Sequence, residues 1–132
     1  MSEQQEKPLK WIASALDDLK EFPEDVQDVM GYALDLAQHG EKHPDAKPLH
    51  GFSGAGVLEI VDDFDGDTYR AIYTVKFAGV VYLLHSFQKK SKHGIATPQQ
   101  DIDLVKKRLK DAQEDYSTET AKKNGVKNEQ RK

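Results

Sequence analysis

Cysteine is absent from all 132 residues, which excludes disulfide frameworks, thiolate zinc sites and cysteine nucleophiles. Long apolar runs are missing too. None approaches the roughly 18 residues needed to cross a bilayer, so no membrane span is expected. The first residues, Met-Ser-Glu-Gln-Gln-Glu-Lys, have neither the apolar core nor the basic start of a secretory leader, and the expected location is the cytoplasm. Overall basicity is also lacking. The chain has 19 Lys and Arg against 23 Asp and Glu, a net charge of −4, unlike domains that hold nucleic acid through bulk positive charge. The length fits a single domain with a real core and leaves no room for two.

What charge there is lies unevenly. Residues 1–40 carry nine acids and three bases, residues 41–110 nine acids and eleven bases, and the remainder five of each. The bases of the middle segment collect late, at Lys89, Lys90, Lys92, Lys106, Lys107, Arg108 and Lys110. An acidic helical half beside a locally basic half is implied. The basic cluster follows Val80-Val81-Tyr82-Leu83-Leu84-His85-Ser86-Phe87-Gln88. Its continuous apolar start suits a central strand covered on both faces. Three lysines within four positions at the strand's exit suit an anionic partner, of which a phosphodiester is the obvious kind.

Periodicity outlines the elements. Leu9, Trp11 and Ala13 alternate with Lys10 and Ile12 as a short strand, and Ser14 is placed to cap a brief helix. Pro23 can open the next helix, in which Val26, Val29, Met30, Ala33, Leu34 and Ala37 share one face before Gly40 ends it. Residues 40–56, with four glycines and two prolines, read as a long surface loop anchored by Leu49 and Phe52. A strand over 57–64 turns at Asp65-Gly66 into one with Tyr69, Ala71, Tyr73, Val75 and Phe77 on one face. Thr68, Arg70, Thr74 and Lys76 lie on the other. In the third strand Leu83, His85, Phe87 and Lys89 share a face by two-residue alternation. Thr97-Pro98-Gln99-Gln100 is a capping-box pattern before a helix with the stripe Ile102, Val105, Leu109, Ala112, Tyr116. The fold class is α+β: an N-terminal strand and helical hairpin on a small antiparallel sheet, closed by a C-terminal helix. Residues 1–7 read as a flexible start, 8–116 as the domain, and 117–132 as a disordered polar tail.

The order of elements, with Tyr69-Arg70-x-x-Tyr73, Leu84-His85-Ser86-Phe87-Gln88-Lys89-Lys90-Ser91, Thr97-Pro98 and Lys107-Arg108-Leu109, resembles the RelE/ParE toxin superfamily. The local motifs are similar to its phage-derived, HigB-like branch over roughly residues 8–116. The resemblance implies a RelE-like fold and the toxin of a type II toxin–antitoxin system. It further implies a metal-independent endoribonuclease that cuts messenger RNA on the ribosome and inhibits translation. A co-encoded antitoxin, often a helix-turn-helix protein, would be its partner alongside ribosome and mRNA, with no cofactor. It marks Arg70, Lys89 and Lys90 as phosphate-binding and catalytic, with His85 and Tyr73 as candidates for proton transfer. Lys76 and Lys92 join the RNA-binding set.

The chemistry can also be argued from residue types. Attack of a ribose 2′-OH on its phosphorus gathers negative charge that a guanidinium and ammonium groups can stabilise. Histidine suits the proton transfers because its pKa of about 6.5 lies near neutrality, and arginine grips phosphate as a fork. Ordinary readings stand beside these. His85 fits a hydrogen-bonded core histidine, Tyr73 a core tyrosine, Arg70 a salt-bridged strand residue, and the lysines charged guards of a sheet edge. Lys106, Lys107, Arg108 and Lys110 fit the wet side of the last helix. His39 and His43 straddle the helix-breaking Gly40, and Asp62-Asp63-Phe64-Asp65-Gly66-Asp67 lacks the closing glutamate of a calcium loop, so no metal site is expected. A ParE-like gyrase inhibitor and a non-catalytic binding module remain as alternative functions.

Overall fold

A computed structural model describes residues 6–52, 54, 56–89 and 97–130, with side chains as far as Lys122. The elements are β1 (Leu9–Trp11), α1 (Ala15–Lys20), α2 (Glu24–Gln38), β2 (Lys47–Pro48), β3 (Val57–Phe64), β4 (Asp67–Thr74), β5 (Val81–Lys89) and α3 (Gln99–Gln130). One sheet runs β1-β5-β4-β3-β2. The β3–β4–β5 meander is antiparallel, and β1 joins β5 in parallel. This is the expected α+β architecture, with strand β2 added inside the long loop.

Local sequence explains the turns. Asp65 and Gly66 both take positive φ, 54° and 85°, as the tight turn favoured between twisted antiparallel strands demands. Gly40 takes φ 78° directly after α2, and Glu41 N–H reaches back to the Leu36 carbonyl at 2.8 Å, closing the helix end. Pro23 sits one place earlier than expected, as the residue before Glu24. Gln27 bridges the two helices, its amide donating to the carbonyls of Lys20 and Phe22.

The sheet is covered on both faces. One core joins α1 and α2 to it through Leu19, Phe22, Val26, Met30, Leu34, Ile60, Tyr69, Tyr73, Val81 and Leu83. The other lies under α3 and holds Leu49, Phe52, Val57, Ile72, Tyr82, Leu84, Ile102, Val105 and Ala112. The loop anchors and the α3 stripe thus bury as their spacing predicts.

Three expectations change. Between Ile72 and Tyr73 the β4–β5 register slips: Ile72 pairs with His85 but Tyr73 pairs with Leu83, which leaves Leu84 as an extra residue. A bulge inverts the alternation beyond it. Leu83 therefore faces the α1–α2 core, while His85 and Phe87 lie on the α3 side. Second, the polar face of β4 is not a wet face, since Thr68, Arg70 and Thr74 are all buried. Third, the segment read as a disordered tail is helical: α3 runs unbroken to Gln130. Residues Ser117 to Lys122 are exposed, as a polar segment must be. Low apolar content limits packing, but it does not stop Glu, Ala and Lys from extending a helix already nucleated by a packed stripe. At the other end, Lys7, read as part of a flexible start, donates its backbone N–H to the Gln38 carbonyl at 2.8 Å.

Candidate functional site

The bulge sets up a polar seam between β5 and the first turns of α3. His85 is 6% exposed, and its Nε2 lies 2.8 Å from Asp101 Oδ1. Its ring stacks on Phe87 with centroids 4.6 Å apart. Burial pushes the imidazole pKa below its ordinary value, against the opposing pull of the Asp101 hydrogen bond. The neutral ring then donates Nε2–H to the carboxylate, and Nδ1 keeps a lone pair with no protein partner. The carbonyl of Leu84, displaced by the bulge, is taken by Arg108, whose guanidinium donates to it at 2.9 Å. Arg108 is thus a strut between helix and strand and does not belong to the helix's wet side.

A second pair supports the first. Arg70 Nη1 donates to Glu59 Oε2 at 2.9 Å, with side chains 5% and 14% exposed. The Thr97 hydroxyl donates to the same carboxylate oxygen and lies 3.3 Å from Arg70 Nη1. Thr97 was expected to cap α3, yet its hydroxyl is committed to the sheet. This network pins the approach to α3, and Asp101 stands in that helix's first turn. Arg70, Glu59 and Thr97 thus meet four residues before Asp101 in the chain.

Of the RNA-binding cations expected from sequence, only Arg70, Lys76 and Lys89 fall among the described residues. Lys89 pairs with Thr68, on the same face as Arg70 and beyond Phe87, and is half-buried. Lys90 and Lys92 lie outside the described residues. Lys76 projects past the far end of β4, six residues from Arg70. At about 3.3 Å per extended residue that is roughly 20 Å, and its ammonium sits 5.6 Å over the Phe77 ring. Tyr73 is fully buried in the α1–α2 core, where burial raises its hydroxyl to a pKa of about 12. It lies on the opposite face of the sheet from Arg70. Among the described residues, no three His, Asp or Glu side chains gather as a metal-ligand group.

The family profile described as phage-derived protein Gp49-like (DUF891) matches residues 17–110, which span α1 to the middle of α3 and include every side chain of the seam. The chain belongs to the Gp49-like family. Among solved structures, the RelBE2 toxin–antitoxin complex from Mycobacterium tuberculosis contains a chain similar to this one. The two are 17% identical with a TM-score of 0.44, and the match covers 69% of this chain and 100% of that one. No curated protein matches the sequence.

In this Gp49-like chain the residues missed by sequence reasoning are Glu59, Asp101 and Arg108. Asp101 lay in a recognised helix start but was not singled out. Its spacing from His85 carries no signal, because their contact depends on a bulge and a chain reversal. Glu59 was hidden in a strand read as mostly apolar. It lies on the strand next to that of Arg70, and its only sequence hint was an acid beside the polar side of β4.

A further polar triad lies at the middle of α3. Asp115 accepts from both Lys10 and Tyr82. Those two bonds, Lys10 first, hold its carboxyl below the usual range. Tyr116 donates to the Ala78 carbonyl at 3.0 Å. These contacts dock the middle of α3 on β1 and β5. No helix among the described residues is long and apolar enough to cross a membrane.

Proposed function

We propose that the chain is the toxin of a type II toxin–antitoxin pair, of the HigB-like branch, and acts in the cytoplasm by cutting mRNA on the ribosome. The observation that carries this reading is the His85–Asp101 pair: a buried imidazole, its pKa lowered by burial, held against a carboxylate and stacked on Phe87. Such a histidine can take a proton from a ribose 2′-OH at Nδ1 while Asp101 stabilises the imidazolium that forms. The resemblance of the strand β4 and β5 motifs to RelE/ParE toxins supports the same assignment.

The roles divide by exposure. Lys89, with Lys90 and Lys92 just beyond it, supplies cations for the scissile phosphate. Arg70 already balances Glu59, so it is a positioning residue that fixes the start of α3 and through it Asp101. Tyr73 is scaffold and Lys76 lies too far away to share the phosphate. The side chains themselves would run the reaction without a metal ion.

The test is induction of the full chain in a bacterial host, with transcript 5′ ends mapped by primer extension, followed by cleavage of ribosome-bound mRNA in EDTA. New 5′ ends that vanish with His85→Ala and persist in EDTA are expected. Intact transcripts in arrested cells would overturn the proposal, and double-strand DNA breaks would redirect it to a gyrase inhibitor. One observation favours a non-catalytic module: the Arg70 charge is already engaged, and the acids Asp18 and Glu21 share a groove with His85. Arrest by His85→Ala as strong as by the unaltered chain would select that reading.

A further inference from the structure

Between α1 and the last residues of β5 lies an open groove of about 320 Å³, lined by Asp18, Glu21, Phe22, His85, Ser86, Phe87 and Gln88. Two of the lining residues each carry a buried polar atom with no protein partner: His85 Nδ1 and Ser86 Oγ. Their residues are 6% and 2% exposed. Native proteins seldom leave such atoms unsatisfied, and each calls for an explanation. Asp18 commits one carboxylate oxygen to the Ser14 hydroxyl, and Glu21 is exposed at the rim. With His85 Nε2–H given to Asp101, Nδ1 offers a lone pair. The groove therefore presents acceptors at Asp18, Glu21 and His85, with Ser86 able to serve as another and Gln88 the one side-chain amide that also donates.

Acceptors flanked by two carboxylates disfavour a phosphate and favour a cation rich in N–H donors. Phe22 and Phe87 give the groove aromatic surface of the kind on which a planar guanidinium is readily held. The setting suits a polypeptide. Strand β1 pairs only with Val81, Tyr82 and Leu83, so β5 continues from Leu84 to Lys89 with β4 on one side and, among the described residues, no strand on the other. Such an edge can align an extended segment while a pocket takes one of its side chains. We infer that this groove is a docking site for a basic polypeptide segment, with an arginine of the partner seated between Asp18, Glu21, Ser86 and His85. The inference concerns binding alone and goes beyond the toxin reading. An occupant here would close the groove beside His85.

The experiment is a 1H–15N NMR titration of the full chain with the peptide Gly-Gly-Arg-Gly-Gly, and with the same peptide carrying citrulline, which keeps the shape and loses the charge. Saturable shifts confined to Asp18, Glu21, Phe22 and residues 85–88, with weak or no response to citrulline, are expected. The double variant Asp18→Asn, Glu21→Gln should weaken arginine binding by about three- to tenfold, as loss of partly exposed charge partners implies. Equal responses to both peptides, or an unchanged affinity in that variant, would overturn the inference. So would saturable binding of an RNA trinucleotide to these residues where the arginine peptide fails, which would make the groove a nucleobase site. No arm measures RNA cleavage, so arginine binding by a chain that cuts nothing would sink only the toxin reading.

Discussion

Replacing Arg70 by methionine keeps much of the side chain's bulk and removes its charge, leaving the Glu59 carboxylate buried without its cation. Both side chains are largely shielded, 5% and 14% exposed, so solvent cannot compensate fully. Breaking a buried ion pair by deleting one partner costs about 3–5 kcal/mol. For a chain of this size each kcal/mol moves Tm by roughly 3–5 °C, giving a fall of about 10–20 °C. Replacing both residues, Arg70→Met with Glu59→Met, removes charge and counter-charge together and should recover much of that loss, because apolar replacement of a whole buried pair is often near neutral. Calorimetric melts of the two single variants and the double variant form the cycle. A single Arg70→Met variant that melts within about 2 °C of the parent, or single effects that simply add, would refute the reasoning. The Arg70–Glu59 pair would then contribute little to the fold.

Arg108→Met strips the Leu84 carbonyl of its donor and should cost about 1–3 kcal/mol, read as a lower denaturation midpoint; no change would mean the bulge carbonyl finds water instead. Truncation after Tyr116 removes only exposed side chains from the described part of the helix. The chain should melt within a few degrees of the parent while losing far-ultraviolet helical signal, and a large drop would show that the distal helix packs on the domain. His85 should also give a pH signature. Its folded pKa lies below the unfolded value, so the unfolded chain binds its proton first as pH falls. The stability this histidine contributes is thus present above about pH 6.5 and is lost as pH falls through the lowered folded value. Melts from pH 8 to pH 5 should show the parent losing stability faster than His85→Asn over that window, and parallel curves would refute the buried neutral imidazole.

The elements were legible in the sequence where one physical signal decided them. The α2 and α3 stripes, the Asp65-Gly66 turn and the Leu49 and Phe52 anchors are local patterns that tertiary packing did not overrule. The site was legible only in part. His85 and Arg70 were singled out, but their surroundings depend on non-local events: a one-residue slip at Leu84, Glu59 arriving from a neighbouring strand, and Asp101 returning on α3. Alternation placed Leu83 with His85, and the bulge separated them. Arg70 looked solvated because the face it shares with Thr68 and Thr74 is polar, yet α3 and the long loop cover that face. The tail was misjudged because composition reports what a segment can bury and says little about whether it can extend an existing helix.

The claim on which the account turns is that His85, held by Asp101, transfers a proton during RNA cleavage. Single-turnover cleavage of a ribosome-bound mRNA across pH tests it most directly, comparing the parent chain with His85→Ala and Asp101→Asn. The rate should rise with pH through a midpoint below the ordinary imidazole value of about 6.5 and then level off, following the lowered pKa of His85. The account also predicts a fall of about 10²–10⁴-fold in His85→Ala, the usual worth of a general base, at a pH where that variant remains folded. Cleavage by folded His85→Ala at the parent's rate, with the same pH profile, would contradict it.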